Sequence, residues 1–259
     1  MESILLIPDS QIIPGCPTEH LSALGNYAIT HKPEYIVNIG DMWDFPSLSS
    51  YDIGKKAHEG ARYQEDIEAG YNALLDFEEP IALYNRDRRR SKHRIYNPVK
   101  YFTTGNHEFR LQRYINDYPI LEGKLSFNDL GLEGLGWKRF DYLDIVDING
   151  VKFSHKFLNP DSLSRRPFSS SIDTQLKTLG FSFVAGHLPG LQVANPRYGI
   201  DGKITRAVIT GSFHLHDFDY QQPPQGNQYW RGAIHLENVK DGNFILKELP
   251  LYWLMDNYL

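Results

Sequence analysis

Five short stretches place aspartate, asparagine or histidine where an apolar run gives out. They are PDSQ with Asp9, GDMWD with Asp41 and Asp44, GNHE with Asn106 and His107, FSHKF with His155, and AGH with His187. Oxygen and imidazole donors of this kind hold hard and borderline divalent ions. Each alone is ordinary, since a strand-end Asp caps turns and a lone His packs with one hydrogen bond. Five such ends in one chain are the raw material of a metal site.

The elements that must position them can be read around the same motifs. ILLIPDS, EYIVNIGD, KYFTTGNHE, VKFSHK and FSFVAGH are short apolar runs closing on polar residues, the pattern of buried strands with functional C-terminal ends. Ligands gather beyond the carboxyl ends of strands in α/β sheets. Thr18 to Thr30 reads as a helix, with Thr18 as N-cap and Leu21, Leu24 and Tyr27 as its apolar stripe. Residues 56–84 read as one or two longer helices, and His107 to Asp117 as another opening on the GNH turn. From about residue 180 the pattern turns to strands and hairpins, with turns at Asp201-Gly202 and Asp241-Gly242. Strands alternating with helices imply a sheet with helices on its faces, and the later hairpins imply a second, more antiparallel sheet packed against it. No repeat or linker divides residues 1–259, so a single domain is expected.

The order GDxxD, GNHE, a lone strand-end His and GH resembles the calcineurin-like metallophosphoesterase superfamily, over most of the chain. GNHEFR, AGHLPGLQVAN and YWRGAIHLENVKDG resemble its small phage-type branch. The resemblance implies an α/β sandwich of two packed mixed β-sheets flanked by helices, and hydrolysis of a phosphomonoester or phosphodiester assisted by divalent metal. Mn²⁺ is the foremost choice, with Mg²⁺, Zn²⁺, Fe and Ni²⁺ as alternatives. Family members hold two metals bridged by the residue that is Asp41 here. The resemblance gives one metal Asn106, His155 and His187. It gives the other Asp9 and two imidazoles, but the imidazole positions carry Gln11 and Pro189, so both losses fall on this one metal, left with Asp9, the shared Asp41 and the amide oxygen of Gln11 as a candidate donor. His107 becomes the acid for the leaving group and Asp44 its orienting partner. His214 and His216 are two apart, hence on one face of a strand, and either could refill the second site or touch the phosphate. Arg110 and Arg113, with Arg165 and Arg166, are candidate phosphate contacts. His20 reads as a surface residue.

Two other functions stay open: a weakened descendant with a binding or structural role, and a nuclease. The segment RDRRRSKHR at 86–94 carries six Lys or Arg in nine positions. It reads as a solvated loop balancing an acidic helix; the sharper alternative is a contact for a polyanionic substrate, nucleotide or nucleic acid. A net charge of −5 gives no global case for nucleic-acid or membrane binding. Cys16 is the single cysteine, so no intrachain disulfide forms. MESILLIPDS reads as a first strand and not a signal peptide. A soluble intracellular protein is expected, virus-encoded if the phage-type resemblance holds. The tail LYWLMDNYL is expected to pack on the chain's own core, and the oligomeric state stays open.

Overall fold

The structure is a computed structural model that describes residues 2–50, 54, 58–162, 166, 168, 171–218 and 225–259. Among these residues the apolar runs form two mixed sheets. The first takes β1 (Glu2–Ile7), β2 (Tyr35–Asn38), β3 (Val99–Thr103) and β4 (Trp137–Phe140). The second begins with β5 (Val146–Ile148), β6 (Val151–Phe153), β7 (Ser182–Ala185) and β8 (Leu191–Val193). A small hairpin, β9 (Arg197–Tyr198) with β10 (Ile204–Thr205), then leads to β11 (Ala207–Thr210), which returns to the second sheet. Finally β12 (Gly232–Lys240) and β13 (Asn243–Pro250) join the first sheet. The orders are β13-β12-β1-β2-β3-β4 and β5-β6-β7-β11-β8.

Within these sheets β1, β2, β3 and β4 are mutually parallel, as are β6, β7 and β11. The C-terminal ends of β1, β2 and β3 therefore open on one edge of the first sheet, and those of β6 and β7 on one edge of the second. The late hairpin differs from the sequence expectation. The turn at Asp241-Gly242 forms, but β12 pairs antiparallel with β1 and so extends the first sheet. The second sheet is mixed, with parallel pairing at its centre.

Side-chain alternation separates the layers. Ile4 and Leu6 of β1 join Val37, Val151, Phe153, Val184 and Val208 in the core between the sheets. Leu5 and Ile7 face the other way, onto α1 (Glu19–His31), α2 (Tyr63–Arg90) and the tail helix. Burying one such aliphatic side chain contributes about 1.5–3 kcal/mol. Further along the chain are α3 (Phe109–Asp117), which follows GNHE, α4 (Ile172–Leu179), which covers the outer face of the second sheet, and the tail helix α5 (Leu251–Tyr258). The tail packs on the chain's own core as expected: Leu254 is buried, and Asn26 Nδ2 of α1 donates to the Tyr258 carbonyl at 2.8 Å.

Helix α2 departs from the expected 56–84 at both ends, although residues 55–57 lie outside those described. It continues to Arg90, so half of the basic segment is helix and not loop. Arginine is a good helix former, and cations in a last turn meet the negative end of the helix dipole. Pro80 sits inside this helix. Proline lacks the N–H that would reach the Asp76 carbonyl, and Ser22 Oγ of α1 donates to that oxygen at 3.2 Å instead. Thr18 likewise spends its hydroxyl on Asp76 Oδ2 at 2.6 Å and does not cap α1. No described helix is long and apolar enough to cross a membrane.

Candidate metal centre

The five motifs meet where the two sheets' C-terminal edges face each other. Left-handed backbone at Gln11, Asp41, Phe45 and His187, with φ of 45°, 51°, 54° and 71°, turns their loops inward. Such angles are uncommon outside glycine, and this strain concentrates at functional sites. Glycine allows the loops to close. A Cβ at Gly105 would overlap Asp41 Oδ1, and one at Gly186 would overlap Asp9 Oδ1.

A residue that the sequence reading left without a role holds these loops together. Glu108 is fully buried and accepts three backbone N–H bonds: from Asp41 at 2.9 Å, Gly105 at 2.8 Å and Trp43 at 3.0 Å. Burial, with Asp41 nearby, pushes its carboxyl up to about 7. Its place three residues after Gly105 was the available signal, because a carboxylate there can reach back to the turn's amides.

Asp41, His155 and His187 each present a ligand atom, and these atoms lie within 4.8 Å of one another. His155 Nδ1 lies 2.9 Å from the Ile39 carbonyl, which fixes the ring and turns Nε2 inward. Nε2 then lies 3.3 Å from Asp41 Oδ2 and 3.0 Å from Asn106 Oδ1. One carboxylate, one amide oxygen and two imidazoles from four separate loops form a donor set that fits a divalent ion. Burial disfavours the His155 imidazolium, but Asp41 outweighs it and raises the group to about 9. His187 is pushed down to about 4, by burial first and then by His155 and Lys156.

Asp9 lies next to the cluster, close enough to His155 and Asp41 to feel their charges. Its Oδ2 accepts the His187 N–H at 2.8 Å, its Oδ1 has no hydrogen-bond partner among the described residues, and burial raises its pKa well above the ordinary carboxylate value. Gln11 contributes its backbone, donating N–H to the Asp41 carbonyl at 2.8 Å. Pro189 is exposed.

His107 stands between two carboxylates. Its Nδ1 is 2.7 Å from Asp44 Oδ1, and its Nε2 points back toward Asp41 Oδ2 at 3.7 Å. Burial opposes its charge, but Asp41 and Asp44 together lift it to about 9. Arg110 Nη1 donates to the carbonyls of Asp44 at 2.6 Å and Phe45 at 3.3 Å, so it braces that loop. Arg113, one helical turn on, lines the cavity beside the site. Arg166 is exposed, and it meets Asn159 and Ser162 through its backbone. Arg165 lies outside the described residues.

Two more histidines lie on the Asp9 and Asp44 side of the site, where the Phe213 N–H donates to the Asp9 carbonyl at 2.8 Å. His214 and His216 follow β11 in a loop, not on a strand face. His214 is fully buried, its Nδ1 2.7 Å from the His216 carbonyl and its Nε2 3.2 Å from the Tyr229 hydroxyl. Burial first, then the charges of His216 and Arg231, push it down to about 3. The His216 ring packs at 4.7 Å from both His214 and Phe218 and lies close enough to Asp44 to feel its charge. His20 corrects the surface assignment: it is fully buried, its Nε2 3.0 Å from the Phe213 carbonyl and its ring edge-on to Phe213 at 4.7 Å.

No protein-family model matches the chain. It is similar to the Gene 54 protein of Mycobacterium phage L5, 28% identical over 258 residues that cover 95% of this chain and 92% of that protein. Among solved structures, it is similar to a conserved uncharacterized protein of Streptococcus pneumoniae, described as a predicted phosphoesterase. The identity is 10%, the coverage 97% of this chain and 90% of that one, and the TM-score 0.39. A protein of Thermus thermophilus follows at 8% identity, covering 95% and 98%, with a TM-score of 0.36. The phage relative is in line with the phage-type motifs.

Proposed function

We propose that this chain is a metal-dependent phosphoesterase hydrolysing a phosphomonoester or phosphodiester, with one well-built metal site. The observation that carries the proposal is the convergence of Asp41, His155 and His187 within 4.8 Å, next to the His107–Asp44 pair. Asn106 would complete the ligand set through its amide oxygen. A divalent ion held there supplies a Lewis acid for the phosphoryl oxygens and acidifies attacking water. Asp9 and Gln11, with Pro189 in place of an imidazole, leave the neighbouring position with weak oxygen donors, better suited to Mg²⁺ or Mn²⁺ than to Zn²⁺.

The chain's own groups supply the rest. Asp44 fixes the ring of His107 through Nδ1, which leaves the Nε2 proton facing the cluster. As water's oxygen bonds to phosphorus and the ester oxygen departs, that proton goes to the leaving oxygen, and His107 recovers one from the attacking water. Arg110 keeps Asp44 in place by gripping the backbone beside it.

The test is hydrolysis of p-nitrophenyl phosphate and bis-p-nitrophenyl phosphate with added Mn²⁺, Mg²⁺, Zn²⁺ or Ni²⁺. Turnover is expected with at least one ester, and His107→Asn should lower kcat roughly 10²–10⁴-fold. Folded protein that binds metal yet turns over neither ester with any of these ions would instead support a binding role. The substitutions at Gln11 and Pro189 are the observation that favours that second reading.

A further inference from the structure

A cavity of about 320 Å³ opens beside Asn106 and His187 and is walled by Phe109, Tyr142, Arg113 and Lys156. Its two arginines have different tasks. Arg110 is committed to the carbonyls of Asp44 and Phe45. Arg113 has no side-chain hydrogen bond or carboxylate partner among the described residues, and neither does the Lys156 ammonium. That ammonium lies over the Tyr142 ring, 5.4 Å from its centroid. Arg113 and Lys156 are also close enough for their like charges to act on each other. Lys156 feels the Asp41 carboxylate from a distance, but no carboxylate pairs directly with either cation among the described residues, so an incoming anion would meet two unpaired charges.

The metal cluster already accounts for one phosphoryl group, so these cations face something further along the substrate. Phe109 and Tyr142 stack at 4.7 Å and form an aromatic wall on the same cavity. Aromatic faces of this kind hold bases in a sequence-tolerant way. A simple phosphomonoester with a small neutral leaving group would use neither feature.

We infer that Arg113 and Lys156 form a subsite for a second phosphate, so that the substrate is a nucleotide ester carrying another phosphate beyond the scissile one. The inference rests on the phosphoesterase reading for what happens to the bound ester, but its binding prediction does not.

Two probes separate these. Thymidine 5′-(p-nitrophenyl phosphate) and the same ester bearing a 3′-phosphate differ by one phosphate and release the same p-nitrophenolate. With Mn²⁺ present, the 3′-phosphorylated ester should show a KM about tenfold lower, as one charge-assisted contact warrants. The quotient of the two KM values should collapse toward one in Arg113→Ala/Lys156→Ala and invert in Arg113→Glu. Equal KM values in the unaltered protein, or a preference that survives the double substitution, would overturn the subsite.

Calorimetry with thymidine 3′,5′-bisphosphate and thymidine 5′-monophosphate gives the same comparison without turnover. If neither ester is hydrolysed but the bisphosphate still binds about tenfold tighter, the hydrolytic reading fails and the subsite stands. Equal affinities sink the subsite alone. Arg113 stands outside the apolar core, so its substitution leaves that core intact.

Discussion

His155 and His214 are the same side chain at the same depth, both fully buried, yet their imidazoles are driven in opposite directions. Burial disfavours the charged ring in each. His155 meets Asp41 across 3.3 Å and is lifted to about 9, whereas His214 meets His216 and Arg231 and falls to about 3. His155 anchors Nδ1 on a carbonyl and turns Nε2 onto two oxygen ligands. His214 engages a carbonyl and a hydroxyl and has no nitrogen to spare. A buried imidazole that faces a carboxylate can keep its proton and could give it up to hold a divalent ion, whereas one without a carboxylate is a neutral polar packing unit.

The largest effect expected from breaking this contrast comes at Asp41. Asp41→Asn removes the carboxylate from His155 and His107 together, and should abolish both Mn²⁺ binding and phosphoester turnover. Calorimetric titration with Mn²⁺ checks this, and retained tight binding would mean that the cluster does not hold the ion. The converse substitution, His214→Ala, should destabilise the fold by about 2–4 kcal/mol, through a buried cavity and lost partners for Tyr229. Urea unfolding reads the loss, while Mn²⁺ titration should still find the site.

A smaller effect is expected at Glu108, which supports the His155 side of the comparison without touching it. Glu108→Gln puts an amide N–H₂ against backbone N–H groups and should cost about 1–3 kcal/mol in urea unfolding. No change would show that the three amides find other acceptors.

The most gradual effect comes from pH, spread over several units. His20, His214 and His235 are buried, with pKa values lowered to about 3, 3 and 4, by burial first in each case. Their folded values lie below the unfolded value of about 6.5, so the unfolded chain binds more protons between the two. The stability these three groups contribute should be full above about 6.5 and fall as pH drops toward 4, by about 1.4 kcal/mol per pH unit for each group. NMR titration of the His20, His214 and His235 ring protons in the folded protein measures these lowered values directly, and midpoints near about 6.5 would contradict the burial of neutral imidazoles.

Much of the fold was legible in the residues alone. The runs ending at Asp9, Asp41 and Asn106 are continuous and apolar because parallel strands are covered on both faces, so both the strands and their exposed ends could be read. The resemblance then attached roles to those ends. What escaped depends on contacts made far along the chain. The late hairpin joins the first sheet because β12 pairs with β1, from which it is separated by most of the sequence. His20 sits in a mixed stretch, EHLSALG, and is buried because Phe213 arrives from the far side. The arginines after residue 85 look like a loop by charge, but they complete a helix whose C-terminal end favours them. Lys156 beside His155 carried no signal until the fold set it against Tyr142 and Arg113.

The most direct measurement is the Mn²⁺ stoichiometry of metal-stripped protein, taken together with His155→Ala and His214→Ala. The account predicts about one tightly held ion per chain in the unaltered protein and in His214→Ala, and none in His155→Ala. Tight binding that survives His155→Ala, or disappears in a folded His214→Ala, would contradict it.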